Sequence, residues 1–123
     1  MTEAELLENA NLAMGNGLAA FAIFVSMLAA YFTAAFVVGK KLDTRQLIIV
    51  NMIFGVSMSG MTYVIFGFIS IALELYSEFQ RLSQLTIFTP VIGFEYINVG
   101  INLLMIGAGL KFMQDRRTGL AGS

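Results

Sequence analysis

The chain has 123 residues, of which 58% are hydrophobic and 12% charged, and its net charge at neutral pH is −1. A water-soluble domain of this size needs a more polar surface and a nearly neutral chain offers no basic face for nucleic acid, so the expected class is a single all-α integral membrane domain. Cysteine and histidine are both absent, which excludes thiol redox chemistry, histidine-ligated haem and most zinc or copper sites.

Residues 1–17 are expected to form an amphipathic N-terminal segment. Thr2 and Glu5 have the spacing of a capping box, Leu6, Leu7, Ala10, Ala13 and Met14 supply an apolar face, and Glu3, Glu5 and Glu8 make the segment acidic. The segment either lies at the interface or runs into the first span, and Gly15-Asn16-Gly17 would be the break between the two. That span, residues 18–38, has the length of about 20 residues that crosses a bilayer core. No basic region precedes it, and the apolar run is longer than that of a cleavable signal. Ala22, Ser26, Ala30 and Ala34 recur every four residues as a small-residue ridge suited to close helix packing. Tyr31 lies deep in the span, where its hydroxyl needs a partner.

Residues 39–46 form a tight connection carrying Lys40, Lys41, Asp43 and Arg45. The second span, residues 47–73, exceeds what a bilayer requires, which predicts tilt or overhang. Asn51 and Tyr63 are polar groups at different depths along it, and Gly55, Ser57, Ser59, Gly60, Thr62 and Gly67 mark it as a packed helix. Residues 74–89 are expected to lie on the outer membrane surface as an amphipathic segment anchored by Tyr76 and Phe79. Thr89-Pro90 reads as an N-cap followed by proline at the first helical position. This opens a third span over residues 90–112, and residues 113–123 follow as a tail that is basic at first, then small and flexible.

Six of the seven Lys and Arg residues lie in the first connection or at the C-terminal end, Arg81 being the exception. The positive-inside rule then puts the N-terminus outside and the C-terminus in the cytoplasm. The expected setting is a bacterial inner (plasma) membrane.

The third span carries the sharpest pattern. At about 100° per residue, Gly93, Gly100 and Gly107 fall within about 40° of one another, and Glu95, Asn98 and Asn102 fall on the opposite face. The glycines read as a helix-packing seam, within the protomer or between copies. A carboxyl group in hydrocarbon must face protein or water, and Tyr63 or another hydroxyl is the expected partner of Glu95. Counting about 1.5 Å per residue from the cytoplasmic anchors brings Asn98 level with Ser59 and Ser26, and Asn102 level with Tyr31, with Asn51 lower.

Two uses fit this polar face. One is a pathway for an ion, proton or small polar solute, lined by Glu95, Asn98 and Asn102 in a homo-oligomer. The other is interhelical hydrogen bonding in a non-catalytic accessory or assembly subunit that docks on other membrane subunits. A phage-type hole-forming protein shares the three-span layout. Paired carboxylates, a nucleophile–base pair and a Gly-rich phosphate loop are all missing, so enzyme chemistry is not expected. Met58 and Met61, three apart, read as gap fillers rather than a Cu(I) site. No cofactor or metal is expected, and the partners are the lipid bilayer and further membrane subunits.

Overall fold

Helices dominate the computed structural model, which describes residues 1–84 and 93–119. They are α1 (Glu3–Val38), α2 (Thr44–Ser83) and α3 (Phe94–Thr118), with one 3₁₀ turn, Gly39–Lys41, joining the first two. Each is long and apolar enough to cross a membrane, so the all-α class with three candidate spans is present.

α1 begins at the capping box. The Thr2 hydroxyl oxygen accepts from the Glu5 amide at 3.2 Å, and the Glu5 carboxylate accepts from the Thr2 amide at 2.8 Å. The Thr2 amide, and then its hydroxyl, hold the Glu5 carboxyl below the usual range. The expected break at Gly15-Asn16-Gly17 does not occur, and the helix runs on for 36 residues. Gly17 serves close packing instead: a Cβ there would stand 3.3 Å from Ile69 Cγ1 and 3.4 Å from Phe68 Cβ. Mid-helix glycine costs about 1 kcal/mol in propensity, a cost offset here by the close approach it permits.

A second capping box starts α2 at Thr44, ahead of the expected Leu47. The Gln46 amide donates to Asp43 Oδ1 at 2.7 Å, and the Asp43 amide donates to Gln46 Oε1 at 3.1 Å. The helix then runs 40 residues to Ser83 and closes on Gln84 at φ 57°. The segment expected to lie flat on the membrane from residue 74 is therefore, through Ser83, a continuation of α2. Its anchors turn towards α1 rather than towards lipid. The Tyr76 hydroxyl donates to Asn11 Oδ1, and Phe79 is buried. The Thr89-Pro90 cap lies outside the described residues.

The α1–α2 pairing explains both lengths. Buried residues on α1 are Leu6, Ala10, Ala13, Gly17, Ala20, Phe24, Tyr31 and Ala35. Their steps of four and three, with one of seven, give the 3.5-residue period of a coiled-coil seam. At about 1.5 Å per residue the helices measure roughly 54 and 60 Å, against a bilayer core of about 30 Å. The surplus falls at the end bearing Glu3, Glu5, Glu8, Glu74, Glu78 and Arg81. There Arg81 pairs with Glu78 and holds its carboxyl below the usual range.

α3 is capped at both ends by left-handed glycines, Gly93 at φ 78° and Gly119 at φ 82°. It buries Asn102, Ile106, Gly109, Met113 and Arg116. Its upper end meets α2 through Tyr96 and Phe66, with ring centroids 5.5 Å apart. Its lower end is tied to the α1–α2 connection. There Arg116 Nη2 donates to the Phe36 carbonyl at 2.8 Å, and Arg117 Nη2 donates to Thr44 Oγ1 at 3.0 Å. The basic part of the tail that follows the third span is thus a continuation of α3, through Thr118.

Candidate functional site

The buried stripe of α3 has alternate steps of four and three residues, and Asn98 and Glu95 extend it upward. Asn102 sits at its centre and is 0% exposed. Its Nδ2 donates to Asn98 Oδ1 at 3.2 Å, so the two amides cooperate along one helix, as their spacing of four predicts. The Asn102 Oδ1 atom is buried and receives no hydrogen bond among the described residues. A free buried acceptor of this kind costs about 1–3 kcal/mol.

Glu95 stands apart from this pair. Because α3 starts at Phe94, the carboxylate occupies the first helical turn, half-exposed. Tyr63 is not its partner: no hydrogen bond joins them, and Tyr63 is 78% exposed on the outer surface of α2. Tyr63 instead lines a lateral groove of ≈ 330 Å³ between α2 and α3, with Ser59, Thr62, Phe66, Tyr96 and Val99.

Tyr31 does find a partner, though not at the expected level. Its hydroxyl donates to Asn51 Oδ1 at 2.6 Å, across the α1–α2 seam, rather than meeting Asn102. Level counting treats residues as points on their helix axes, whereas a tyrosine hydroxyl stands farther from its own Cα than one helical pitch, about 5.4 Å. The Tyr31 ring lies on the Phe54 ring, with centroids 3.7 Å apart. Phe54 in turn fills the space left by Gly109, where a Cβ would stand 3.0 Å from Phe54 Cζ and 3.5 Å from Leu28 Cδ1. One cluster thus joins the three helices at this depth.

The Tyr31→Phe variant leaves this stacking in place and removes only the donor to Asn51. We expect it to unfold about 0.5–1.5 kcal/mol more easily, the range for one interhelical hydrogen bond. Steric trapping in bicelles measures this directly, and a stability equal to that of the parent would show that Asn51 is satisfied in another way.

The two expected packing seams face outward. A Cβ on Gly100 or Gly107 would meet nothing within 4 Å, and one on Gly93 would touch only Tyr96 of its own helix, at 3.9 Å. Ala22, Ser26, Ala30 and Ala34 are exposed too, and Ser26 donates to the carbonyl of Ala22 on its own helix. Among the described residues, neither seam is used within the protomer. The close approaches occur at Gly17, Gly109 and Gly39, whose Cβ would stand 3.2 Å from Arg116 Cβ. Sequence reasoning missed Gly109 and Arg116, although both continue from Asn102 at steps of seven. Met58 is wholly buried, and Met61 packs against the same core.

Polar groups therefore fall into two separate pairs, Tyr31–Asn51 and Asn98–Asn102, with Glu95 at the rim. They satisfy one another more than they line a shared cavity. Comparison with known protein families, with curated proteins and with solved structures finds no match.

Proposed function

We propose that this chain is a non-catalytic accessory or assembly subunit of a larger membrane complex, which it joins through the glycine face of α3. The observation that carries this reading is the direction of polarity on that helix. Asn102 is turned into the protomer, while the face with Gly100 and Gly107 is bare. In hydrocarbon no hydrophobic force drives helices together, and close backbone approach over small residues takes its place. A bare glycine face is the surface on which another transmembrane helix gains most.

A homo-oligomeric pathway lined by Glu95, Asn98 and Asn102 has less support. It needs polar groups on an outward face, and the outward residues of α3 include Ile97, Ile101, Leu103 and Leu104. The Ser26 and Thr33 hydroxyls on α1 donate to carbonyls of their own helix. For orientation, the concentration of cations at the lower end favours a cytoplasmic C-terminus and an outer N-terminus, in a plasma membrane of bacterial type.

The chain contains no cysteine, so one introduced thiol reports on one position. In native membranes, Gly100→Cys labelled with benzophenone maleimide, which on irradiation inserts into neighbouring C–H bonds, is expected to give a product with a different polypeptide. The same reagent on Val56→Cys, on the lipid-facing side of α2, is expected to give none. A product of twice the chain's own mass, together with ion flux in liposomes, would favour the pathway instead. No product at position 100 would remove the docking face.

A further inference from the structure

Charge in this molecule is sorted by end. Six Lys and Arg residues with Asp43 and Asp115 lie at the end where α1 meets α2, and six Glu residues with Arg81 lie towards the other. Several of the lower cations are already engaged. Lys111 pairs with Asp115 at 2.8 Å, Arg116 donates to the Phe36 carbonyl, and Arg117 donates to Thr44. Asp43 is occupied by the amide of Gln46 at the start of α2. Lys40, Lys41 and Arg45 are different. They are exposed within six consecutive residues, and among the described residues none forms a hydrogen bond or ion pair with them.

Immediately above these three cations the surface turns apolar. Phe36 and Val37 at the end of α1 are each 62% exposed, and Ile48 and Ile49 at the start of α2 are 53% and 49% exposed. Side chains of that kind are covered by acyl chains, so the cations beneath them stand at the depth of the lipid headgroups. Lys and Arg stems extend along apolar surface while their heads reach the interface. We propose that the Lys40–Lys41–Arg45 turn seats the phosphate of an anionic phospholipid whose chains run up the Phe36, Val37, Ile48 and Ile49 surface. The two parts of one amphiphile then match the two parts of this surface: phosphate on the unengaged cations, hydrocarbon on the apolar belt. A free phosphate ion would match only the first. This surface lies on the α1–α2 connection and does not depend on what docks on α3.

The test uses the full chain in a neutral detergent, mixed with equal amounts of dioleoylphosphatidylglycerol and dioleoylphosphatidylcholine and examined by native mass spectrometry. The protein is expected to retain the anionic lipid at least about fivefold more than the zwitterionic one, since each cation near an anionic surface adds about that factor. The K40Q/K41Q/R45Q variant is expected to retain both lipids equally. K40R/K41R/R45K, which keeps the charge, and E3Q/E5Q/E8Q, altered at the far end, are both expected to behave as the parent. Equal retention by the parent overturns the proposal, as does a preference that survives K40Q/K41Q/R45Q or is lost in K40R/K41R/R45K. Displacement of the lipid by millimolar inorganic phosphate would reassign the site to a free anion and also overturn it.

Discussion

Valine at position 109 is expected to lower the stability of the solubilised protein by about 1–3 kcal/mol, the usual cost of forcing extra carbons into a filled core. The position offers no room: Phe54 Cζ stands 3.0 Å and Phe54 Cε1 3.2 Å from where even a methyl group would sit. Phe54 cannot withdraw freely, because it lies against Tyr31, whose hydroxyl is held by Asn51. Gly109→Val should therefore disturb the Tyr31 environment as well, visible as a loss of near-ultraviolet ellipticity. Gly107→Val is the matching control, since its Cβ meets nothing within 4 Å. It should leave the isolated protomer unchanged and act only where α3 meets another chain. Equal melting of the Gly109→Val variant and the parent would show that α3 does not press on Phe54.

Loss of Arg116 should be the most damaging change to a charged residue. Its guanidinium lies 4.5 Å from the Phe36 ring centroid and donates to the carbonyl of the same residue. That carbonyl belongs to the last turn of α1, where the helix dipole favours a cation and where α1 has no basic residue of its own. A hydrogen bond from a charged group contributes about 1.5–3 kcal/mol, and stacking on an aromatic face adds about 0.5–2 kcal/mol. Arg116→Ala is therefore expected to cost about 2–4 kcal/mol and to let the lower end of α3 separate from the α1–α2 turn. Spin labels on cysteines at positions 38 and 118 would report that separation as a broadened distance distribution. Arg116→Lys should recover only part of the loss, because an ammonium cannot stack as a planar group. Arg117→Ala, which removes an exposed bond to Thr44, should cost less than about 1 kcal/mol. If the two alanine variants proved equally stable, the Phe36 contact would be energetically idle.

These residues also show what could be read from the chain unaided. Three long apolar runs and their charged boundaries were legible because hydrophobicity alone defines a span. The Thr2–Glu5 cap was legible because its spacing is local. The equally local Asp43–Gln46 cap went unread beside the lysines of the turn. The faces were harder. In water a helix marks its buried side by being apolar there, but these helices are apolar all round, and the buried side is marked by residue size instead. Small residues occur on both sides. Ala22, Ser26, Ala30 and Ala34 stand out by eye at steps of four and face outward, whereas Ala10, Ala13, Gly17 and Ala20 follow the 3.5-residue seam and are buried. Gly93, Gly100 and Gly107 drew attention by their repetition. Gly109, which has no such echo, makes the tight contact because it falls on the Asn102 side. Asn98 and Asn102 could be placed on one face because a spacing of four is local to the helix, and Asn102 bonds to Asn98. The place of Glu95 in the first turn was not legible, because the start of the helix at Phe94 depends on the left-handed turn at Gly93.

The seam that runs from Leu6 to Ala35 has a mechanical side. Two helices interlocked along such a length bend little relative to each other, and the Tyr76–Asn11 bond fastens them near the N-terminal end of α1. A sideways load applied at Gln84 would therefore not be absorbed locally. It would be carried along the pair to the turn at Lys40 and Lys41, at the opposite end.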